Sequence, residues 1–375
     1  MGFLNDNATI ADSRPRVQLF GMTLNELQEL CASMGFPKFT ARQICDWLYV
    51  KQVTEIDAMT NLSLKVRAAL KEVAEVRRMA PVECQVSRDG TKKYLFACYD
   101  AAQDVENHPP LGYVETVFIP EADRATLCVS CQMGCKMGCR FCATGAQGFH
   151  GHLSAGDILN QIFSIPESRQ LTNIVYMGMG EPMDNYAAVM NSIQALTAPW
   201  GWAWSPHRIT VSSVGVIPRL RQFLAECDCH LAISLHNAVA SERAQIMPMQ
   251  HSFPIADIVA LLRQYDWSHQ RRLTFEYTMM SGENDSERHA AQVVRLLSGL
   301  QCRVNLIRYH KTTSHSDNNH PSCSAAPSGL LTIQRFQTYL NQHGITCTLR
   351  ASRGEDIMAA CGLLAKVKAA PHQDS

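Results

Sequence analysis

The spacing of apolar residues predicts that the N-terminal part of the chain is mostly helical. Three segments carry apolar side chains at the period of an amphipathic helix. A Gly-Phe-Pro break at 35–37 separates the first two segments, and Ser63 is a typical cap for the third. The predicted helices are Thr23 to Met34, Thr40 to Val50 and Ser63 to Arg78. We therefore expect residues 1–91 to form a small helical accessory domain that packs on a larger one.

From Lys92 onward, short apolar segments rich in β-branched residues alternate with helical ones. The first two, KYLFACY and YVETVFIP, flank a polar loop and predict a β-hairpin extension over residues 92–120. Between residues 121 and 356 the predicted strands are TLCVS, NIVYMGMG, RITVSSVG, CHLAISLH, RLTFEYTMM and CRVNLIRYH. Strand–helix units of this size predict right-handed crossovers and a parallel sheet. Six such strands favour an α/β fold with a partial (β/α)6 barrel of the TIM type.

Helical segments fill the connections of this predicted barrel. After the sixth strand, residues 311–329 form a long polar loop, either a lid or a mobile linker. A strand, TCTLR, and a C-terminal segment over residues 357–375 end the chain. The predicted helices are Ser154 to Phe163, Ala187 to Leu196, Ile217 to Ala225, Ile255 to Gln264, Glu287 to Leu297 and Leu331 to His343.

Composition narrows the class of protein. The chain has 375 residues, with 34 basic and 34 acidic side chains, so it has no excess of positive charge for coating nucleic acid. A neutral total is still compatible with a selective RNA enzyme that has a local basic face. No apolar run reaches the about 18 residues of a membrane span, and no secretion signal is visible. We expect a cytoplasmic globular protein without a membrane partner.

The cysteines give the strongest chemical signal. Of fifteen cysteines, five fall within residues 128–142, and an odd total without a secretion signal argues against a disulfide framework. Three of them form the pattern C-x3-C-x2-C: Cys135, Cys139 and Cys142. Thiolates at this spacing can hold three irons of a [4Fe-4S] cluster and leave the fourth open. An open iron is suited to chelation by the amino and carboxylate groups of S-adenosylmethionine.

A zinc site is the alternative that the same cysteines allow. It pairs Cys128-x2-Cys131 with Cys139-x2-Cys142. Only seven residues separate these pairs, fewer than the about 12–20 usual between zinc knuckles. This pairing also leaves Cys135 unused, so the iron–sulfur interpretation is favoured.

Polar residues follow several of the predicted strands. Gly180 and Glu181 come at the end of NIVYMGMGEP, where glycine allows close backbone approach and a carboxylate can accept hydrogen bonds from an ammonium group. Ser212, Ser234 and His310 also lie at or near strand ends. In a (β/α) barrel these ends converge on one mouth. The convergence predicts a common site, although each residue alone is as easily a strand-end polar group.

Several motifs in order resemble a known family. The segments are CVSCQMGCKMGCRFCATGAQGF, MGMGEP, ISLH and DIMAACG. They look like the radical S-adenosylmethionine RNA methyltransferases that modify adenosine, and within them the branch that methylates carbon 2. The likeness runs from about residue 20 to 365. It implies a radical S-adenosylmethionine core preceded by an accessory domain that positions RNA.

The resemblance implies a set of cofactor-binding residues. The cluster would be held by the C-x3-C-x2-C thiolates. At position 310 this chain has His where better-known members have Asn, so either the ring does the same polar work or the contact is lost. The S-adenosylmethionine contacts implied are Gly180, Glu181, Ser212, Ser234, Leu235, His236 and His310.

The resemblance also implies three catalytic residues. Cys361 would be methylated first and then carry the carbon to the RNA base, although a cysteine between small apolar residues is normally just a buried hydrophobe. Cys128 matches the resolving cysteine that would form a disulfide with it. Glu115 matches the proton acceptor, while by pattern it is one charge on an alternating strand.

The implied reaction is methylation of carbon 2 of an adenosine in 23S rRNA, at the peptidyl-transferase centre, and of an adenosine in tRNA. Its partners would be these RNAs and an electron donor such as flavodoxin or ferredoxin, with the enzyme a monomer. Two alternatives remain open from sequence. One is carbon-8 methylation, as in the related antibiotic-resistance enzymes, and the other is a non-catalytic, zinc-bound RNA-binding protein.

Overall fold

In a computed structural model of the chain, the fold is described for residues 16–100, 108–269, 271–311 and 325–364. Most of the polar loop predicted at 311–329 therefore lies outside the described residues. Among those residues, no helix is both long and apolar enough to cross a membrane.

Two sets of elements build the described part of the chain. The helices are α1 (Leu24–Ser33), α2 (Lys38–Cys45), α3 (Leu64–Val73), α4 (Ala143–Ala146), α5 (Ala155–Phe163), α6 (Tyr186–Thr197), α7 (Ile217–Glu226), α8 (Ala240–Ile246), α9 (Ile255–Leu262), α10 (Glu287–Leu297) and α11 (Leu330–Gln342). The strands are β1 (Val17–Gln18), β2 (Ala74–Glu75), β3 (Glu83–Val86), β4 (Lys92–Cys98), β5 (Gly112–Pro120), β6 (Ala125–Cys128), β7 (Gln132–Gly134), β8 (Phe149–His152), β9 (Asn173–Tyr176), β10 (Ile209–Ser213), β11 (His230–Ser234), β12 (Leu273–Ser281), β13 (Arg303–Arg308), β14 (Ala326–Pro327) and β15 (Thr346–Leu349).

One large sheet organises the molecule. Its strand order is β15-β13-β12-β11-β10-β9-β6-β5-β4-β3, and every neighbouring pair from β6 to β15 is parallel. The six predicted barrel strands are therefore adjacent and parallel, and TCTLR adds a seventh. The two ends of the sheet are different strands, β15 and β3, so the barrel is open. Because the seven strands run in the same direction, their carboxyl ends lie at one edge.

The predicted hairpin is part of this same sheet. Strand β5 pairs antiparallel with β4 on one side and with β6 on the other. The hairpin therefore extends the barrel sheet directly instead of forming a separate unit. Strand β3 adds a further antiparallel strand outside β4, within the stretch that the sequence pattern predicted to be helical. Its burial alternates residue by residue, which is the pattern of an edge strand with one face covered.

Two of the three accessory helices start where the sequence predicts, and α2 starts at Lys38, two residues before the predicted Thr40. Thr23 caps α1 in a capping box with Glu26, and Ser63 caps α3. The third helix ends at Val73, five residues before the predicted end, because β2 leaves the helix to pair with β1. The second continues beyond α2 as a π-helical turn over Asp46–Val50.

The accessory helices contact the barrel through a close approach of two backbones. Gly21 precedes α1 with φ +106°, and a Cβ atom there would stand 2.3 Å from the backbone nitrogen of Gly156 in α5. In the other direction, a Cβ on Gly156 would stand 2.5 Å from the carbonyl oxygen of Phe20. The two glycines therefore let the accessory helices and α5 meet without side chains between them.

This contact predicts a large cost for one added methyl group. We expect Gly21→Ala to lower the free energy of unfolding by about 2–5 kcal/mol, because steric overlap adds to the strain of a positive φ. The matched control is Gly35→Ala, at φ +72° with no atom within 4 Å of the new Cβ. The control should lose only about 1–2 kcal/mol. Urea denaturation measures both, and equal losses would contradict the steric argument.

Candidate active site

The three predicted cluster ligands lie on one loop at the carboxyl edge of the sheet. The loop runs from β7 to α4, within the connection between the paired strands β7 and β8, and Cys142 occupies the N-cap position of that helix. Gly145 in α4 packs against the loop so closely that a Cβ would stand 3.0 Å from the carbonyl oxygen of Cys139. The three cysteines are free thiols, each partly exposed. The loop therefore presents Cys135, Cys139 and Cys142 together.

A single cavity collects most of the residues that the sequence singled out. It lies at the carboxyl ends of the parallel strands, where the pattern predicted a common mouth. The predicted residues that border it are Cys135, Cys139, Cys142, Gly180, Glu181, Ser212, Ser234, His236, His310 and Cys361. The remaining three, Leu235, Glu115 and Cys128, do not border it.

The cysteine side chains fit a polynuclear cluster. They border the cavity from one side, and burial raises the pKa of the Cys139 and Cys142 thiols, with the neighbouring cysteines adding to the rise for Cys139. A [4Fe-4S] cluster carries thiolates on its outer corners, so three thiols around a cavity suit it. In the part of the chain that the structure describes, no three Cys, His, Asp or Glu side chains are grouped to hold a single metal ion.

Glu181 is held by backbone donors at the bottom of the cavity. Its Oε1 accepts a hydrogen bond from the N–H of Met183 at 3.1 Å, and its Oε2 accepts one from the N–H of Val214 at 2.9 Å. Burial nevertheless raises the pKa of this carboxyl to about 7. A buried carboxylate fixed in this way and bordering a cavity is suited to receive a cationic group.

Leu235 does not border the cavity, although its neighbours Ser234 and His236 do. Strand β11 ends at Ser234 and His236 has φ +52°, while Leu235 between them is fully buried in the core. The imidazole of His236 accepts a hydrogen bond from the Thr278 N–H at 3.0 Å. Burial lowers the pKa of His236 to about 3, so its ring is neutral. Its contact with Phe141, at 4.5 Å between ring centroids, joins residues 234–236 to the cysteine loop.

His310, where better-known members of the family have Asn, borders the cavity. Its Nε2 lies 3.0 Å from the Oγ of Ser352 and 3.8 Å from a carboxylate oxygen of Glu355. Burial lowers the pKa of the ring, and the Glu355 carboxylate opposes this effect. The histidine thus keeps a polar group at this position of the cavity.

Cys361 and Cys128 both lie close to Arg350. Cys361 is exposed and borders both the cavity and a second one of about 360 Å³, and Arg350 borders the same two cavities. Cys128 is buried at the end of β6. Burial and the nearby Cys361 raise the pKa of Cys128 to about 12, while Arg350 acts to lower it. The two thiols are thus close enough to influence each other's ionisation.

Glu115 is buried and paired with a lysine. Its side chain is 2% exposed, and its Oε1 lies 3.0 Å from the ammonium of Lys93, which is 8% exposed. The backbone carbonyl of Glu115 also accepts a hydrogen bond from Ser130 at 2.6 Å. The alternating pattern of the strand suggested a solvated charge. The side chain is covered because both faces of β5 are buried here, as all five residues from Val114 to Phe118 are buried.

Comparison with family models matches two regions of this chain. Residues 17–76 match the ribosomal RNA large subunit methyltransferase N-terminal domain, and residues 129–293 match the radical SAM superfamily. A protein of Phocaeicola vulgatus named "Probable dual-specificity RNA methyltransferase RlmN" is 51% identical over 94% of this chain and 96% of its own length. The chain belongs to the RlmN family of radical SAM RNA methyltransferases.

Other similar proteins agree with this assignment. The dual-specificity RNA methyltransferase RlmN of Syntrophotalea carbinolica is 38% identical over 94% of this chain and 91% of its own length. The crystal structure of a radical SAM methyltransferase from Sphaerobacter thermophilus matches with a TM-score of 0.81 and 38% identity. It covers 93% of this chain and 99% of the other. The predicted partial barrel with an N-terminal accessory domain is confirmed.

Membership in the RlmN family decides two matters that the sequence left open. The protein is an enzyme, and like other radical SAM enzymes it uses a [4Fe-4S] cluster and S-adenosylmethionine. The alternative of a non-catalytic, zinc-bound protein is therefore wrong. The zinc site would also require Cys128 and Cys131 to lie beside Cys139 and Cys142. The structure disagrees, because Cys128 and Cys131 are buried while Cys139 and Cys142 border the cavity.

Two residues that build the RlmN-type site were missed by sequence reasoning: Glu276, which borders the cavity, and Arg243, which does not. The side chain of Glu276 is 7% exposed; Asn305 donates to its Oε1 at 3.0 Å, and its Oε2 lies 3.8 Å from Arg350. Burial raises its pKa. The available signal was a carboxylate in the otherwise apolar strand LTFEYTMM. Arg243, on α8, gave no signal because a charged residue on a helix is usually solvated.

Arg243 ties together the turns that carry the cavity residues. It is fully buried, and its guanidinium donates to the carbonyls of Ser234 at 2.8 Å and Leu235 at 3.0 Å and to the side chain of Gln250 at 2.7 Å. It also reaches the carbonyl of Val214 at 3.4 Å. Burial lowers its pKa to about 10, so it stays charged at neutral pH.

Removing these donors should weaken both the fold and the cavity. We expect Arg243→Met to lower the free energy of unfolding by about 2–4 kcal/mol, because several buried acceptors lose their partner. S-adenosylmethionine affinity should fall as well, since Ser234 and Val214 are held less firmly. Denaturation and equilibrium dialysis measure the two effects. The control Arg221→Met, on the exposed face of α7, should change stability by about 0.5 kcal/mol or less; an equally small effect of Arg243→Met would refute the role.

Proposed function

We propose that this enzyme methylates carbon 2 of an adenosine in 23S rRNA, at the peptidyl-transferase centre, and of an adenosine in tRNA. The supporting observation is that Cys361 borders the same cavity as Cys135, Cys139 and Cys142. Cys361, which is not part of the C-x3-C-x2-C pattern, therefore borders the cavity in which the radical would form. The names of the relatives, dual-specificity RNA methyltransferase, support two kinds of RNA substrate.

The cavity residues divide into two binding groups. Cys135, Cys139 and Cys142 hold the cluster, and Glu181 receives the ammonium of S-adenosylmethionine. When bound, the cluster exchanges single electrons, and S-adenosylmethionine supplies a methyl group and, after reductive cleavage, a deoxyadenosyl radical. The contacts to S-adenosylmethionine are assigned to Gly180, Glu181, Ser212, Ser234, Leu235, His236 and His310, with Leu235 contributing through its backbone.

Cys361 carries the carbon. Its sulfur bonds to the methyl group as the carbon–sulfonium bond breaks, with release of S-adenosylhomocysteine. Transfer of one hydrogen atom to the deoxyadenosyl radical gives 5′-deoxyadenosine and leaves a carbon radical on the Cys361 methylthio group, and this carbon bonds to carbon 2 of adenine. A radical route is needed because that ring carbon is electrophilic and its hydrogen is not acidic. Protein and RNA are then covalently linked.

Glu115 and Cys128 complete the reaction. Glu115 takes the proton from carbon 2 as the adduct gives up one electron, which the oxidised cluster would accept. The Cys128 thiolate then attacks the sulfur of Cys361: a disulfide forms, the sulfur–carbon bond breaks, and the released carbon takes a proton to become the methyl group. Arg350 opposes the high pKa that burial gives Cys128, which favours the attacking thiolate.

The remaining parts of the assignment follow from the same function. Residues 1–91 position RNA, 92–120 carry the proton acceptor, 121–356 form the radical core and 357–375 hold the methyl carrier. We assign the enzyme to the cytoplasm as a monomer, with a flavodoxin or ferredoxin as electron donor. Carbon-8 methylation is the second candidate, since the same radical on Cys361 can add to that carbon.

Nucleoside analysis tests this function. Ribosomal RNA and tRNA from cells with the wild-type enzyme should contain 2-methyladenosine that is absent when Cys361→Ala replaces it. Mass spectrometry of digested RNA distinguishes the 2-methyl from the 8-methyl product, and 8-methyladenosine would favour the second candidate. Cys128→Ala should accumulate covalent protein–RNA adduct, because the bridge forms but is not broken. Wild-type levels of product from Cys361→Ala would overturn the carrier mechanism.

The raised pKa of Glu181 predicts a pH dependence of binding. Above pH 7 the carboxyl is ionised and attracts the ammonium of S-adenosylmethionine; below pH 7 it is protonated and the attraction is lost. We expect the dissociation constant to rise up to about tenfold as pH falls from 8 to 6. In Glu181→Gln this pH-dependent step should vanish. Equilibrium dialysis across this range measures both, and parallel curves for the two proteins would show that Glu181 does not bind the ammonium.

A further inference from the structure

The segment that carries Cys361 bridges the two ends of the open sheet. It begins after β15, which is one end of the strand order, and reaches the turn between β3 and β4 at the other end. Within residues 353–358 (the bridge), Arg353, Gly354 and Asp356 contact this turn, which comprises residues 87–91. The segment thus connects the two ends of the sheet across the gap of the partial barrel, and Cys361 lies three residues beyond the bridge.

Side chains of the turn hold the bridge through hydrogen bonds. Ser87 donates from its hydroxyl to Oδ1 of Asp356 at 2.5 Å, and the N–H of Arg88 donates to Oδ2 at 3.2 Å. In the opposite direction, the N–H of Gly354 donates to Oδ2 of Asp89 at 3.1 Å. Burial acts to raise the pKa of Asp89, but hydrogen bonds from Thr91, Gly354 and Ser87 outweigh it and lower the pKa to about 2, so the carboxylate stays ionised as an acceptor.

The backbone of the bridge also packs against the turn without room for a side chain. Gly354 has φ +62°, and a Cβ there would stand 3.0 Å from Cγ2 of Thr91 and 2.8 Å from Cβ of Ala359. The carbonyl of Gly354 accepts the N–H of Ala359 at 2.9 Å. The bridge therefore folds back on itself while in contact with the turn, which fixes the direction in which the chain continues to Cys361.

Lys93 joins this bridge to the proton acceptor. Its ammonium lies 3.0 Å from Oε1 of Glu115 and donates to the carbonyl of Met358 at 3.4 Å. Both charged side chains are buried, and an ion pair in this environment is held in a defined geometry. Met358 has φ +54° and is three residues from Cys361. One buried cation thus contacts both Glu115 and the segment of the methyl carrier.

The other side of Cys361 is anchored to the cysteine loop. The N–H of Ala143 donates to the carbonyl of Gly362 at 2.8 Å, and the hydroxyl of Thr144 donates to the carbonyl of Leu364 at 2.6 Å. Ala143 directly follows the cluster ligand Cys142. Between Met358 and Gly362 the chain is short, so its anchors limit how far the Cys361 thiol can move.

We propose that Lys93 and the turn 87–91 are positioning elements for methyl transfer, holding residues 353–358 so that the Cys361 thiol reaches its donor. The proposal rests on the proposed function of Cys361 as methyl carrier. The thiol must meet a methyl donor in the cavity, an adenine ring and the sulfur of Cys128 in turn. A carrier fixed at both ends by hydrogen bonds reaches these partners by small displacements, without a search by a free chain end.

The test compares two properties of the reconstituted enzyme. Purified holoenzyme is supplied with S-adenosylmethionine without a reductant, so that no radical forms. Methylated Cys361 is quantified by mass spectrometry, and the affinity for S-adenosylmethionine is measured by equilibrium dialysis. Lys93→Met and Asp89→Ala should slow Cys361 methylation at least fivefold and leave the dissociation constant within twofold of wild type. Loss of folding or of the cluster would weaken S-adenosylmethionine binding as well, so slower methylation with unchanged binding reports positioning alone.

Two matched variants control the comparison. Lys92→Met, on the same strand, removes the 2.6 Å pairing of Lys92 with the buried carboxylate of Glu167 but no contact to the bridge. It should methylate Cys361 at the wild-type rate. Lys93→Arg restores a buried cation and should regain at least half of the rate that Lys93→Met loses. Equal methylation in Lys93→Met and wild type would overturn the proposal.

Asp356→Ala tests the same proposal if Lys93→Met does not retain its [4Fe-4S] cluster. Asp356→Ala alters an exposed side chain on the bridge and leaves the sheet intact. It should slow methylation about threefold and speed amide hydrogen exchange in peptides covering residues 353–364, because two of the hydrogen bonds to the turn are lost. Unchanged methylation and exchange would overturn the proposal. An unmethylated Cys361 in the wild type would instead refute the proposed function.

Discussion

The parallel pairing of seven adjacent strands is the constraint on which the rest of this structure depends. Because β6 and its parallel neighbours run in one direction, the polar residues that follow them converge on one edge, although they are far apart in sequence. The cavity is a consequence of this geometry. Its base is held by backbone donors to Glu181 and by the buried guanidinium of Arg243. Fixed dipoles and one buried cation thus keep the turns in place before any ligand binds.

The barrel is open between β15 and β3, and the chain segment that leads to Cys361 crosses this gap. The arrangement gives an exposed thiol a defined position, since hydrogen bonds hold the chain on both sides of it. The antiparallel strands of the main sheet are part of this arrangement. They carry Glu115 and Lys93 on β5 and β4, and the turn between β3 and β4 contacts the bridge.

Burial sets the ionisation of the groups in and near the cavity. It raises the pKa values of Glu181 and Cys128 and lowers that of His236. Charges that remain are paired, as in Lys93 with Glu115, or multiply hydrogen-bonded, as in Arg243. A cavity of this kind favours neutral groups until a charged ligand enters, which makes binding of a cationic ligand sensitive to the state of Glu181.

The barrel, the starts of α1 and α3 and the cysteine triad could all be predicted from the sequence, because each depends on local signals: alternating strand and helix periods, capping residues and a fixed ligand spacing. The order of the motifs and their resemblance to a family identified Cys361, which its neighbours alone would have marked as a buried hydrophobe. The end of the third helix, strand β3, the burial of Glu115 and the contacts of Arg243, Glu276 and Lys93 became apparent only in the folded chain. These depend on partners distant in the chain, and no local pattern records whether a charged side chain meets water or a buried carbonyl group.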